Sequence, residues 1–212
     1  MPNPNPKGDR YYGRTAEIYN RKRRRQGWWH IEHEQMAELL DQLPRDLAVV
    51  DIPFGTGRFV PLYRERNYSI SGVEISQDMI DAAAADLGDA FDGIDARAAS
   101  AFDVPFDDAQ FDLLVSTRFL SNIITFKDAK VALSEFARIV KIGGHGIIQL
   151  GHNTGETRMP DENETMDTCM AIEDVDAMLR AAGFEPKERR KVLDGPAENG
   201  EMHHILCERI AI

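Results

Sequence analysis

"VVDIPFGTGRFV", residues 49–60, joins an apolar run to an acid and then to a turn with two glycines one residue apart. Val49 and Val50 suit a strand buried on both faces, and Asp51 closes it. Gly55 and Gly57 let the backbone turn sharply and bring a ligand against the main chain with no Cβ between them. The stretch reads as a buried parallel strand leading through a ligand loop into a helix at 57–66. Two features separate it from a dinucleotide loop. Val60 stands where that fingerprint needs its third glycine, three residues after Gly57. Asp51 also lies beside the turn, where a carboxylate repels a pyrophosphate and suits a ligand with an ammonium group.

Working outward, strands and helices alternate. "YSISGVEI" (68–75) is a second strand ending near Glu74, an acid placed to accept two hydrogen bonds from a ribose diol. Ser76 caps the next helix, with Met79, Ile80, Ala83 and Leu87 inward. "IDARAAS" (94–100) is a weak third strand and "FDLLVS" (111–116) a stronger fourth. Asp128 is the expected cap of a helix carrying Ala132, Leu133, Phe136, Ala137 and Val140, and "KIGG" (141–144) the expected turn into the strand "HGIIQL" (145–150). A loop of about twenty residues follows, long enough to suggest function. A last helix with Val175, Met178, Leu179 and Ala182 on one side stops at Gly183, and residues 184–193 and 202–210 pair as a hairpin. Upstream, residues 1–14 are Pro/Asn-rich and expected to be disordered. Residues 15–43 pattern as a helix with Met36, Leu39, Leu40 and Leu43 on one face, stopped by Pro44.

The expectation is one α/β domain over residues 15–212. It has a Rossmann-like doubly wound sheet, mostly parallel with a C-terminal antiparallel hairpin, and helices on both faces. Ligands of such sheets bind beyond the strands' carboxyl ends, where the strand order reverses.

The 212 residues are 42% hydrophobic, ordinary for a globular chain. They contain no apolar run approaching the roughly 18 residues of a membrane span, and the first residues lack the apolar core of a secretory signal, so a cytoplasmic location is expected. Cys169 and Cys207 are too few for a disulfide framework. Residues 1–25 carry a net charge of +6 and the remainder −17, giving the overall −11. The acidic body argues against broad nucleic-acid binding, while the basic segment keeps a local anionic contact open.

Over nearly its whole length the chain resembles the class I S-adenosylmethionine-dependent methyltransferases. "VVDIPFGTGRF" resembles the family's first motif, "GVEISQDMI" its ribose-binding segment, and "ASAFDVPFDDAQFDLLVS" its adenine-side loop and fourth strand. "ALSEFARIVKIGGHGII" resembles the helix, Gly-Gly turn and fifth strand. The resemblance implies S-adenosyl-L-methionine as cofactor. It would be held by Asp51, Pro53, Phe54, Gly55 and Gly57, by Glu74, Ile75 and Met79, and by Ala101, Phe102 and Asp103 beside the adenine. Ser116 at the fourth strand's end and Tyr11 from an N-terminal lid complete the set. Two positions depart from the family pattern: Pro53 replaces the first glycine, and Ser100 stands where many relatives carry an acid.

Acceptor residues are less sharply marked. Arg118 follows the fourth strand at the crevice mouth, where a guanidinium can hold a carboxylate or phosphate. Arg24, Arg25 and Trp29 in the basic run are further substrate-side candidates, with a solvated face as the alternative reading of that run. His152 and Tyr19 are weak candidates for a base, and a hydrogen-bonded loop histidine explains the first better. His203 and His204 point to opposite faces of one strand and cannot chelate together, so no metal is expected. The reading is methyl transfer to a small-molecule or glycan-type, anionic acceptor. Its rivals are an RNA methyltransferase using the basic run with Trp28 and Trp29, and a non-catalytic cofactor-binding regulatory partner.

Overall fold

The structure is a computed structural model describing residues 11–13, 25–121 and 123–212. Tyr19, Arg24 and most of the expected disordered segment and lid lie outside the described residues.

Seven strands form one sheet: β1 (Ala48–Asp51), β2 (Ser69–Glu74), β3 (Asp95–Ala98), β4 (Phe111–Ser116), β5 (Val140–Asn153), β6 (Phe184–Asp194) and β7 (Gly200–Arg209). Their order is β3-β2-β1-β4-β5-β7-β6. All pairings from β3 to β5 are parallel, and β7 runs antiparallel to both β5 and β6. From β1 the chain moves outward through β2 and β3, then returns to place β4 on β1's other side. The order therefore reverses between β1 and β4, opening a crevice above their carboxyl ends.

Alternation along each strand divides the core in two. Val50, Leu114, Ile148 and Leu150 face α4 (Phe126–Ile139) and α5 (Ile172–Ala181). Val49, Leu113, Val115 and Ile147 face α1 (Gly27–Leu40), α2 (Val60–Glu65) and α3 (Gln77–Leu87). Central strands covered on both faces explain why β1 and β4 read as apolar runs.

Three expectations shift at element ends. The helix after the glycine loop begins at Val60 rather than residue 57, because residues 54–59 are spent turning over the crevice. Thr125, not Asp128, caps α4: its hydroxyl accepts the Asp128 N–H at 3.2 Å, leaving Asp128 in the first turn. The Gly-Gly segment does not separate helix from strand. β5 starts at Val140 and runs through it, but Phe111 pairs with Val140 and Leu113 with His145, so residues 141–144 bulge against β4. Gly143, at φ 79°, sits in that bulge. The terminal hairpin stands as expected.

Candidate functional site

The loop after β1 is pinned from both sides of the crevice. The Ile52 N–H donates to the Val115 carbonyl at 2.9 Å and the Phe54 N–H to the Val73 carbonyl at 2.8 Å, tying the loop to β4 and β2. Phe54 is buried and rests on Gly72, where a Cβ would come within 2.4 Å of its ring. Gly55, at φ 57°, turns its N–H onto Glu74 Oε2 at 2.9 Å. Gly57, at φ 66°, leaves no space for a side chain, since a Cβ there would lie 2.7 Å from Leu87 Cδ1.

Two carboxylates flank this loop. Glu74 accepts Gly55 N–H on one oxygen and Ser76 N–H, at 3.1 Å, on the other. A carboxylate offers about four lone-pair sites, so both oxygens keep acceptor capacity for a diol. Burial raises its pKa, against the opposing pull of those backbone donors. Asp51 is buried and accepts the Tyr63 hydroxyl at 2.9 Å. Burial pushes its pKa up to about 8, despite Tyr63 and Arg58, with the Glu74 charge adding to the rise.

The other half of the cleft is built on α1. Glu32 is fully buried; Arg58 pairs with one of its oxygens, and Gln149 Nε2 donates to the other at 2.7 Å. Arg118 Nε lies 2.8 Å from that second oxygen with its N–H out of line, an ion pair rather than a hydrogen bond. Burial works to raise the Glu32 pKa, but Arg118 and Arg58 hold it below the usual carboxylate value. Each guanidinium also stacks on a tryptophan, Arg118 over Trp28 at 3.7 Å and Arg58 over Trp29 at 3.8 Å. Arg118 adopts φ 58°, outside the region that side chains prefer, and its N–H is held by Gln149 Oε1 at 2.8 Å.

These two halves line a single cleft, partly open to solvent. It brings together Asp51, Pro53, Phe54, Gly55, Glu74, Ile75, Met79, Ala101, Phe102 and Tyr11 with Arg118 and Trp29. Tyr11 reaches it because its carbonyl accepts the Ser76 hydroxyl at 2.7 Å, while Gly13 N–H donates to Asp78 at 2.6 Å. Other expected residues fall elsewhere. Gly57 shapes the loop from behind, Asp103 is exposed beyond the rim, and Ser116 is buried beneath the floor with Thr117 lining in its place. Arg25 is exposed and does not line the cleft. His152 does not line it either: it pairs in register with Glu201 on β7.

Sequence reasoning missed Glu32, Arg58 and Phe119. A glutamate within "WWHIEHEQM" looks solvent-facing, and nothing local links it to arginines 26 and 86 residues away.

Comparisons with known proteins agree with this layout. A family described as a methyltransferase domain matches residues 50–148. The ubiquinone/menaquinone biosynthesis C-methyltransferase UbiE of Campylobacter jejuni is 28% identical over 109 residues, covering 48% of this chain and 43% of that protein. The matched region thus spans less than half the length of that curated relative. The 1,6-didemethyltoxoflavin-N1-methyltransferase of Burkholderia thailandensis, crystallised with 1,6-didemethyltoxoflavin and S-adenosylhomocysteine, superposes with a TM-score of 0.69 at 16% identity, over 92% of this chain and 84% of that one. The [4+2]-cyclase SpnF superposes with a TM-score of 0.67 at 17% identity, over 84% and 81%. At such identities the likeness is one of fold, and a cyclase among the neighbours shows that this fold alone does not fix the reaction.

Proposed function

We propose that the chain, whose residues 50–148 match a methyltransferase-domain family, is a class I S-adenosylmethionine-dependent methyltransferase acting on a small-molecule or glycan-type acceptor that carries negative charge, with S-adenosyl-L-methionine as donor. The observation that carries this reading is the continuity of the cleft. Glu74, Asp51 and Gly55 line one end, and Trp28, Arg58, Arg118 and Phe119 the other.

At the first end, Glu74 is set for a ribose diol, Gly55 clears space against the main chain, and Asp51 offers a buried carboxyl group whose ionised form a bound ammonium would favour. Met79, Ala101 and Phe102 give a base an apolar berth. Bound there, the cofactor supplies an activated methyl on a sulfonium, transferred in line with a neutral leaving group. The chain's part is alignment and exclusion of water, which can be worth roughly 7–11 kcal/mol at the limit.

Charge at the second end favours an anion. Two guanidiniums share the single carboxylate of Glu32, leaving a net positive wall, and Arg118 Nη2 has no hydrogen-bond partner among the described residues. No histidine is among the described residues lining the cleft, and its two acids are engaged with Tyr63, Gly55 and Ser76. An acceptor already ionised needs no base from the chain. The RNA alternative is less well supported, because the guanidiniums already occupy one face of each tryptophan.

Calorimetry with S-adenosylhomocysteine, followed by transfer assays on matched anionic and neutral acceptors, tests the reading. Micromolar or tighter cofactor binding is expected, about −8 kcal/mol, with turnover on the anionic members. Absence of cofactor binding overturns it, and binding without turnover on any acceptor returns the non-catalytic alternative.

A further inference from the structure

Beyond the cleft, β5 and β7 bring three ligand-type side chains together. His152 pairs in register with Glu201, and His203, two residues further along β7, pairs with Leu150. Directly opposed residues and alternate residues of a strand share a face, so all three project to the same side. His203 Nε2 lies 2.9 Å from Glu201 Oε2 and His152 Nε2 lies 3.8 Å from the same oxygen. One donor atom from each residue falls within 4.8 Å of the others, and no other group among the described residues meets that condition.

We propose that His152, Glu201 and His203 bind one divalent transition-metal ion of the zinc class. Ligands about 2.0–2.1 Å from a tetrahedral zinc stand roughly 3.3–3.4 Å apart, midway between the two measured separations. Two imidazoles and a carboxylate select zinc, cobalt, nickel or copper over magnesium or calcium. Three protein ligands leave a fourth position for water or a small anion. His152 is buried, whereas Glu201 and His203 are partly exposed, so the ion has an entry path. Nearby cations do not occupy the site. Lys191 Nζ pairs with the other Glu201 oxygen at 2.8 Å, and Arg189 pairs with Asp176. The expectation of no metal considered His203 with His204 along one strand; the site arises instead across two strands.

The test is calorimetric titration of the untagged full chain with Zn²⁺ and, separately, Mg²⁺. One zinc per chain is expected and no magnesium. His203→Ala and Glu201→Gln should each weaken zinc by more than roughly tenfold, since even an outer-shell change costs about that much. His30→Ala, an exposed histidine on α1, should leave it unchanged. Should a variant fail to fold, paramagnetic resonance of Cu²⁺ on the wild-type chain decides, with two coupled imidazole nitrogens expected. No zinc binding, unchanged affinity in folded ligand variants, or fewer than two nitrogens on copper overturns the site.

Discussion

Tyr63 donates its hydroxyl to Asp51 at 2.9 Å, and both side chains are shut off from water. With its pKa pushed up to about 8, mainly by burial, the folded Asp51 keeps a proton that the unfolded chain releases near 3.8. Its contribution to stability is complete below about pH 4 and is lost as pH rises toward 8. The stability of the wild type relative to Asp51→Asn should therefore fall by about 1.4 kcal/mol per pH unit between pH 5 and 7, and less steeply toward 8. Thermal melts of the two proteins across that range check this. A constant difference would mean that Asp51 is ionised throughout.

Glu74 holds Gly55 and Ser76 through separate oxygens, so it positions the loop as well as being the proposed ribose acceptor. Glu74→Ala should weaken S-adenosylhomocysteine by about 1.5–3 kcal/mol, the worth of hydrogen bonds to a charged acceptor. Calorimetry measures the loss, and unchanged affinity would remove Glu74 from the cofactor site.

Glu32 neutralises part of the charge on Arg58 and Arg118. Removing one partner from a buried ionic cluster costs about 3–5 kcal/mol, so Glu32→Ala should lower the melting temperature by roughly 6–20 °C. Because the Glu32 pKa is depressed in the folded state, its stabilisation is present above the unfolded value and is lost as pH falls through the folded one. The difference between wild type and variant should shrink in acid.

Arg118→Met keeps most of the side-chain bulk and removes the guanidinium. The acceptor's KM should rise while cofactor affinity stays nearly constant. If cofactor binding falls instead, Arg118 serves the cofactor's carboxylate. If neither moves, the anionic-acceptor reading fails.

Gly72 lies in β2, where a Cβ would come within 2.4–2.9 Å of Phe54. Gly72→Ala must displace that ring, which lines the cleft, so it is expected to weaken cofactor binding without touching the cofactor and to cost about 1–3 kcal/mol of stability. Gly88, where a Cβ meets nothing within 4 Å, provides the comparison. Gly88→Ala should strain only its own backbone, at φ 54°, and leave cofactor affinity intact. Calorimetry and melting of both variants separate the two effects.

Much of this architecture was legible because its signals are local. Apolar runs marked β1 and β4, an acid ended β2, and the glycine pair stood between strand and helix. The misreadings were local as well. Thr125 with Asp128 three residues on was a capping pattern in plain view, and the double glycine before His145 bends a strand rather than starting one. The acceptor half was hidden for another reason. Arg118 was marked by its place after β4, but Glu32 and Arg58 join it only after the sheet and α1 have assembled, and each of those two looks like a surface charge in its own segment. His152 and Glu201 likewise become neighbours only through the β5–β7 register.

The left-handed backbone at Arg118 also bears on how this chain can diverge. Glycine and asparagine tolerate φ 58° as well as arginine does or better, and a β-branched residue does not. A lineage can therefore exchange Arg118 for either and keep the turn, with the backbone N–H still held by Gln149. The charge at the proposed acceptor end is thus open to change by few mutational steps, none of which touches the Gly55–Glu74 contact at the other end.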